Sequence, residues 1–426
     1  MTITADADLA RTSAPSSVST SVPQTAVKVR DPRLDFFRGI AMIIILFAHT
    51  PGNFFTSWIP ARFGFSDATE MFVFCSGMAS AIAFGKTFER AGFALGTSRV
   101  AYRVWQVYWA HVSLFVFVTA LMVVLNQLGP WERDYIGQLN LYPFFERAQQ
   151  QILGLLTLTY VPNYFDILPM YLVILAMMPV VIGLSRVSLW LVAALLVVLW
   201  FFSQGILLEQ LGIEHLALSL PAEPWSDREW FFNPFGWQLI FFTGFAFMIG
   251  WIPKPPVNVW LIAIAALIVL ANIPLSHIGV RAIRQEWFGL VLESNPAIDW
   301  RLANRAWITK TDFGLFRFIQ FLALAYLAWV VVGEGGKHLI AKGSGYASKT
   351  WDLVVRLLMK IGQQSLAIFI FSMILARLNG FWLDRLGREE AWQTVMVNFV
   401  GVALLITVAY VVGWFKSQPW QPKRAR

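Results

Sequence analysis

Ten mostly apolar stretches divide this chain, at roughly 36–55, 68–86, 104–126, 166–184, 188–207, 234–252, 257–276, 314–333, 355–376 and 394–415. A helix rising 1.5 Å per residue needs roughly 20 residues to cross a hydrocarbon core ~30 Å thick. Each stretch meets or approaches that length, so the chain reads as an all-α integral membrane protein, a bundle of about ten transmembrane helices. Composition agrees: 57% of residues are hydrophobic, 14% are charged, and mean hydropathy is +0.60. A net charge of +8 raises nucleic acid as a partner, but the basic residues form no stripe interleaved with stacking aromatics. They punctuate the gaps between apolar runs, as membrane topology requires, so lipid is the expected surroundings and nucleic acid is not an expected partner. Cys75 is the only cysteine, which excludes an intrachain disulfide and argues against a thiolate metal site.

An even number of spans puts both termini on one side. Lys and Arg are more frequent on that side, mostly through the N-terminal tail, the 87–103 connection and Lys423, Arg424 and Arg426. Both termini are therefore expected in the cytoplasm. Residues 1–30, rich in Ser, Thr, Ala and Val and without a signal-peptide core, read as a disordered cytoplasmic tail. Residues 31–416 form the transmembrane domain, and 417–426 a basic cytoplasmic tail. The outer 277–313 loop carries Arg281, Arg284, Arg301, Arg305 and Lys310, set against Glu286, Glu293, Asp299 and Asp312. It is either a solvated, charge-balanced loop or a docking surface for an anionic or sugar-rich substrate.

Inside the spans, polar residues are expensive and mark either protein-facing contacts or a water-filled cavity. The first span holds Arg38 and His49, eleven residues apart. At 100° per residue that is about 1100°, three turns plus roughly 20°, so both side chains share one helix face with a rise of about 16 Å. Asp35 and Asn53 extend the same stripe. Singly, Arg38 snorkels to headgroups and His49 makes one interhelical hydrogen bond; as an aligned pair they point to chemistry. The second span opens with Glu70, six residues before Ser76, and Gly77 and Ala79 allow close helix packing. The third opens with Arg99 and Arg103, four apart and on one face, suited either to gripping phosphates or to ordinary anchoring. Asp166 opens the fourth and Arg317, with Lys310 before it, the eighth, all at the outer edge. Arg317 and Lys360 are, with Arg38, cations left within the spans, and Arg377 stands directly after the ninth. His111, on the apolar third span, reads as a histidine satisfied inside the bundle. No phosphate-binding glycine loop, dinucleotide fingerprint or nucleophile elbow is present.

These types in this arrangement fit acyl transfer through the membrane. His49 is the general base that deprotonates an acceptor hydroxyl, since imidazole works near neutral pH. A carboxylate, Asp166 or Glu70, would orient it. Arg38, Arg99 and Arg103 would hold the phosphates of an acyl donor entering from the cytoplasm. The other class that fits ten helices with buried charge is a secondary transporter or flippase for an anionic or carbohydrate substrate. Such folds usually carry repeated halves and paired broken helices; the sequence has neither.

The motifs themselves carry a resemblance. Arg38 and His49 match the R-x10-H of the membrane-bound acyltransferase-3 superfamily, and Phe72-Val-Phe-Cys-Ser-Gly-Met is similar to its second-helix motif. Leu34-Asp-Phe-Phe-Arg-Gly, Asp166-Ile-Leu-Pro-Met-Tyr, Phe232-Asn-Pro-Phe-Gly-Trp-Gln, Lys310-Thr with Arg317-Phe-Ile-Gln-Phe-Leu-Ala-Leu, and Gly362-Gln-Gln-Ser-Leu-Ala-Ile-Phe resemble the OpgC family. These enzymes modify osmoregulated periplasmic glucans with succinyl groups. The resemblance implies an acyltransferase-3-like bundle in the bacterial inner membrane. It implies an O-acyltransferase that takes succinyl-CoA as cytoplasmic co-substrate, with no permanently bound cofactor or metal, and a periplasmic glucan as acceptor. Arg38 and His49 inherit their roles from the match, while Lys310, Arg317, Asn53 and Ser76 are candidates for binding substrate. In that reading Lys310 and Arg317 hold the free carboxylate of the succinyl group. Two departures stand out: the third-span arginines are R-x3-R instead of the common R-x2-R, and Ser372 stands where many members have histidine.

Overall fold

The computed structural model describes residues 31–130, 132–284, 295–388 and 390–421. Helices dominate, and the principal ones are α1 (Pro32–His49), α2 (Ala68–Ser80), α3 (Gly92–Leu128), α4 (Ile167–Ser185), α5 (Leu189–Phe202), α6 (Pro234–Ile249), α7 (Val259–Asn272), α8 (Leu315–Val332), α9 (Tyr346–Gln363), α10 (Ser365–Leu386) and α11 (Ala391–Lys416). Among the described residues no β-strand forms; one isolated bridge, Pro221 with Glu229, ties the loop before α6. Six segments are long and apolar enough to cross a membrane: α2 with its continuation to Arg90, α3, α4, α8, α10 and α11. Helices α5, α6 and α7 are apolar but run only 14 to 16 residues. With the charge-bearing α1 these occupy the ten sequence spans. The tail 1–30, Glu286, Glu293 and most of the basic C-terminus lie outside the described residues.

Local chemistry starts the helices where the sequence allows. Asp67 caps α2 in a reciprocal box: its carboxylate accepts from Thr69 N at 2.6 Å, and Glu70 Oε2 accepts from Asp67 N at 2.7 Å. Ser188, Asn233 and Asn258 cap α5, α6 and α7, with Pro234 preset at the first turn of α6. One turn of π-helix, Ala81–Gly85, interrupts the continuation of α2.

The ninth span is a correction. The expected 355–376 straddles a break at Gln364, whose backbone leaves the helical region. The membrane-long helix is α10, beginning at Ser365. Its predecessor α9 is amphipathic and lies along α1. Glycines permit that approach: a Cβ on Gly39 would strike the Leu358 carbonyl, and one on Gly362 the Asp35 carbonyl. The same device joins α2 to α6, where Gly77 meets the Phe241 carbonyl and Gly244 the Phe74 carbonyl. Helix α1 also packs on α2 and α10, and α10 on α3 and α11. Phe72 of α2 stacks on Phe369 of α10 with centroids 5.6 Å apart. The polar stripe of α1 therefore faces protein. His111 is fully buried in α3 as expected, but neither ring nitrogen has a hydrogen-bond partner among the described residues, so it is not the satisfied histidine the sequence implied.

Candidate active site between two polar levels

Helix α1 carries polar groups at two levels, and α10 answers each. At the near level, where α1 begins, the Arg38 guanidinium donates to the Ser365 hydroxyl. The break that frees Gln364 lets its side chain accept from Lys416 Nζ of α11 at 2.7 Å. Arg38 and Arg103 both lie close enough to Lys416 to repel it electrostatically. Lys360 sits over the Tyr410 ring at 5.1 Å on the same side. Four cations thus gather at one end of the bundle, an arrangement that attracts a polyanion. Arg99 does not join them: it is exposed, bonds the Thr87 hydroxyl and lies over Phe84. Arg103 also bonds Gln106 at 3.1 Å.

The far level holds His49. Its Nδ1 lies 2.9 Å from the Ile45 carbonyl one turn earlier. A carbonyl only accepts, so Nδ1 carries the proton and Nε2 keeps its lone pair. The tautomer of this histidine is therefore set by the helix itself. Beside the imidazole, edge-on, is Tyr164, with ring centroids 5.5 Å apart. Arg377 of α10 covers the Tyr164 ring at 4.0 Å, and Tyr164 Oη donates to the Met373 carbonyl at 2.5 Å. Tyr164 is held with a φ of 91°, a left-handed backbone uncommon for a tyrosine.

Among the described residues no hydrogen bond joins either expected carboxylate, Asp166 or Glu70, to His49. Asp166 is buried and accepts from Phe231 N at 3.1 Å, anchoring the loop that leads into α6. Glu70 is fully buried, and its Oε1 takes two bonds from Arg317, at 2.8 Å from Nε and 2.5 Å from Nη2. Each acid thus has a partner elsewhere, and the described contact that orients His49 is the Ile45 carbonyl. Lys310 pairs with Asp67 at 2.5 Å, and Arg317 Nη2 comes within 3.8 Å of the same carboxylate. Burial would raise the Asp67 carboxyl, yet Lys310 and Arg317 together hold it well below the usual carboxylate range. Lys310, Asp67 and Arg377 all lie within electrostatic reach of His49. Gln320 closes the group by accepting from Phe65 N at 2.5 Å and Ser66 N at 2.8 Å.

Asn53 and Asn398 of α11 exchange amide hydrogen bonds at 2.9 and 3.0 Å, both buried. Asn53 thereby ties the exit of α1 to α11. Ser76 is buried on α2, and no hydrogen bond among those described ties it to His49. The residues that sequence reasoning missed are Tyr164 and Lys416, together with the role of Arg377. The signal for Arg377 was available: it is a cation directly after an apolar run, and no motif explained its place there. Lys416, at the C-terminal end of the last helix, looks like ordinary anchoring until Gln364 is seen to hold it.

Fold and site together define a polytopic α-helical membrane protein with a tautomer-fixed histidine at one level of its bundle and a cluster of cations at the other. A family profile described as OpgC protein matches residues 30–417. With essentially the whole chain covered, the protein belongs to that family. Comparison with curated proteins and with solved structures gives no match.

Proposed function

We propose that the protein is a transmembrane O-acyltransferase of acyltransferase-3 type. It moves a succinyl or other short acyl group from cytoplasmic acyl-CoA to hydroxyls of periplasmic glucans across the bacterial inner membrane, with both termini cytoplasmic. Family membership supports the class, and one observation carries the chemistry: His49 Nε2 is left free as a base, a helix-length above Arg38 on the same face.

In this reading Arg38, Arg103 and Lys416 bind the phosphates of the donor at the near level, where multiple guanidinium and ammonium donors suit a polyanion. The pantetheine arm then extends toward the far level, a span of about 16 Å for eleven helical residues. His49 Nε2 takes the proton of the glucan hydroxyl as its oxygen attacks the thioester carbonyl. The carbon–sulfur bond breaks, and the departing sulfur receives the proton from the imidazolium, which gains stabilisation from the Ile45 carbonyl. An ester and free CoA result, and the histidine returns to its starting tautomer.

The test is purified protein in proteoliposomes with labelled succinyl-CoA on one side and glucan on the other. Acceptor-dependent release of CoA with ester appearing on the glucan is the expected result. Movement of glucan or anion without CoA release would make the protein a carrier and end the proposal.

A further inference from the structure

The geometry points to Arg377 as the residue that selects the acyl group, its guanidinium receiving the free carboxylate of a dicarboxylic acyl chain whose thioester carbonyl lies at His49. This deepens the acyl-transfer reading and rests on it.

A guanidinium within a membrane helix is costly unless something compensates it. Two other far-level cations have carboxylate partners within the chain: Arg317 has Glu70, and Lys310 has Asp67. Arg377 differs. Among the described residues no carboxylate pairs with it, and its buried Nε has no hydrogen-bond partner. What holds it is Tyr164, whose ring it covers at 4.0 Å and whose hydroxyl it also meets, a contact that orients the guanidinium plane while Nε stays without a partner. The same tyrosine ring abuts His49, so a single residue sets the spacing between base and cation.

The level is also right. Arg38 meets Ser365, and Arg377 lies twelve residues beyond Ser365, about 18 Å along α10. Phosphates held at Arg38 cannot reach it, whereas the acyl end of the donor can. A planar fork accepts a carboxylate in two parallel hydrogen bonds and offers nothing comparable to a methyl group. Lys310 and Arg317, the holders first expected from the sequence, would have to abandon their own carboxylates to do the same.

The experiment compares succinyl-CoA with butyryl-CoA, which has the same four carbons and a methyl in place of the carboxylate. The full chain in proteoliposomes with glucan acceptor is assayed by CoA thiol release. Wild type should prefer succinyl-CoA. Arg377→Gln should lower kcat/KM for succinyl-CoA on the order of 10²-fold, chiefly through KM, while butyryl-CoA changes by less than about 3-fold. Arg377→Lys should keep the succinyl preference at reduced magnitude, because charge remains and the fork is lost. Butyryl transfer by the variants serves as the check that they fold. If both donors fall together, Arg377 stabilises the transition state or the helix and the inference is overturned; unchanged succinyl transfer overturns it as well. Equal use of both donors by wild type does so without any variant. Absence of CoA release from any donor would instead overturn the acyl-transfer reading itself, and this inference with it.

Discussion

Replacing Glu70 with alanine isolates the buried ion pair that ties α2 to α8. Glu70 is fully buried, and the Arg317 side chain is 8% exposed. The carboxylate accepts two bonds from Arg317 and a third from Asp67 N. Glu70→Ala leaves a guanidinium in a desolvated position with only Asp67, at 3.8 Å and already shared with Lys310, to answer it. Stranding one partner of a buried pair costs about 3–5 kcal/mol. Removing both charges avoids the stranding, so Glu70→Leu with Arg317→Met should lie within roughly 2 kcal/mol of the parent. Equilibrium unfolding of the detergent-solubilised protein, run as a double-mutant cycle, reads the coupling directly. A Glu70→Ala variant less than about 1 kcal/mol below the parent would refute the reasoning, as would a double variant whose loss equals the sum of the singles.

Three further outcomes follow from other contacts. Arg38→Lys should raise KM for acyl-CoA roughly 10-fold with kcat little changed, because a single ammonium replaces the fork at the near level; donor-concentration kinetics check it. Asp166→Asn retains an oxygen for Phe231 N, so turnover should stay within about 3-fold of wild type, where an acid acting on His49 would cost on the order of 10²-fold or more. Burial pushes the Asp312 carboxyl up to about 6, with the Asn233 amide pulling it back, so its ionisation weighs against the folded state. The folded protein binds this proton more tightly than the unfolded chain, so stability is lost as pH rises from about 4 through 6. Asp312→Asn should therefore match the parent near pH 4 and exceed it above pH 6, as measured by unfolding across that range.

Much of the fold was legible because the membrane leaves little choice: apolar length sets the spans, and ten helices occupy them. The Arg38–His49 alignment was legible too, since it depends only on helical periodicity within one segment. The ninth span failed for a physical reason. Apolar residues continue on both sides of Gln364, so a hydropathy window cannot see that the backbone breaks there and that α9 lies along α1 as an amphipathic helix. The partners of Asp166 and Glu70 were hidden because they come from distant segments, Phe231 and Arg317. Helix geometry places a side chain on a face; it cannot say which neighbour arrives. Tyr164 lies two residues from Asp166 in a loop without periodicity, and only its left-handed backbone and its two ring contacts reveal it.

The central claim is that His49 Nε2 is the base for acyl transfer, and His49→Ala measures it most directly. Position 49 is the last residue of α1, and its only hydrogen bond among those described runs to its own helix, so the fold should survive the change. In cells whose periplasmic glucans are weighed by mass spectrometry, and in proteoliposomes assayed for CoA release, ester formation should fall by about 10²–10⁴-fold while protein level and unfolding temperature hold. Glucans acylated to near the wild-type extent by the His49→Ala protein would contradict the account.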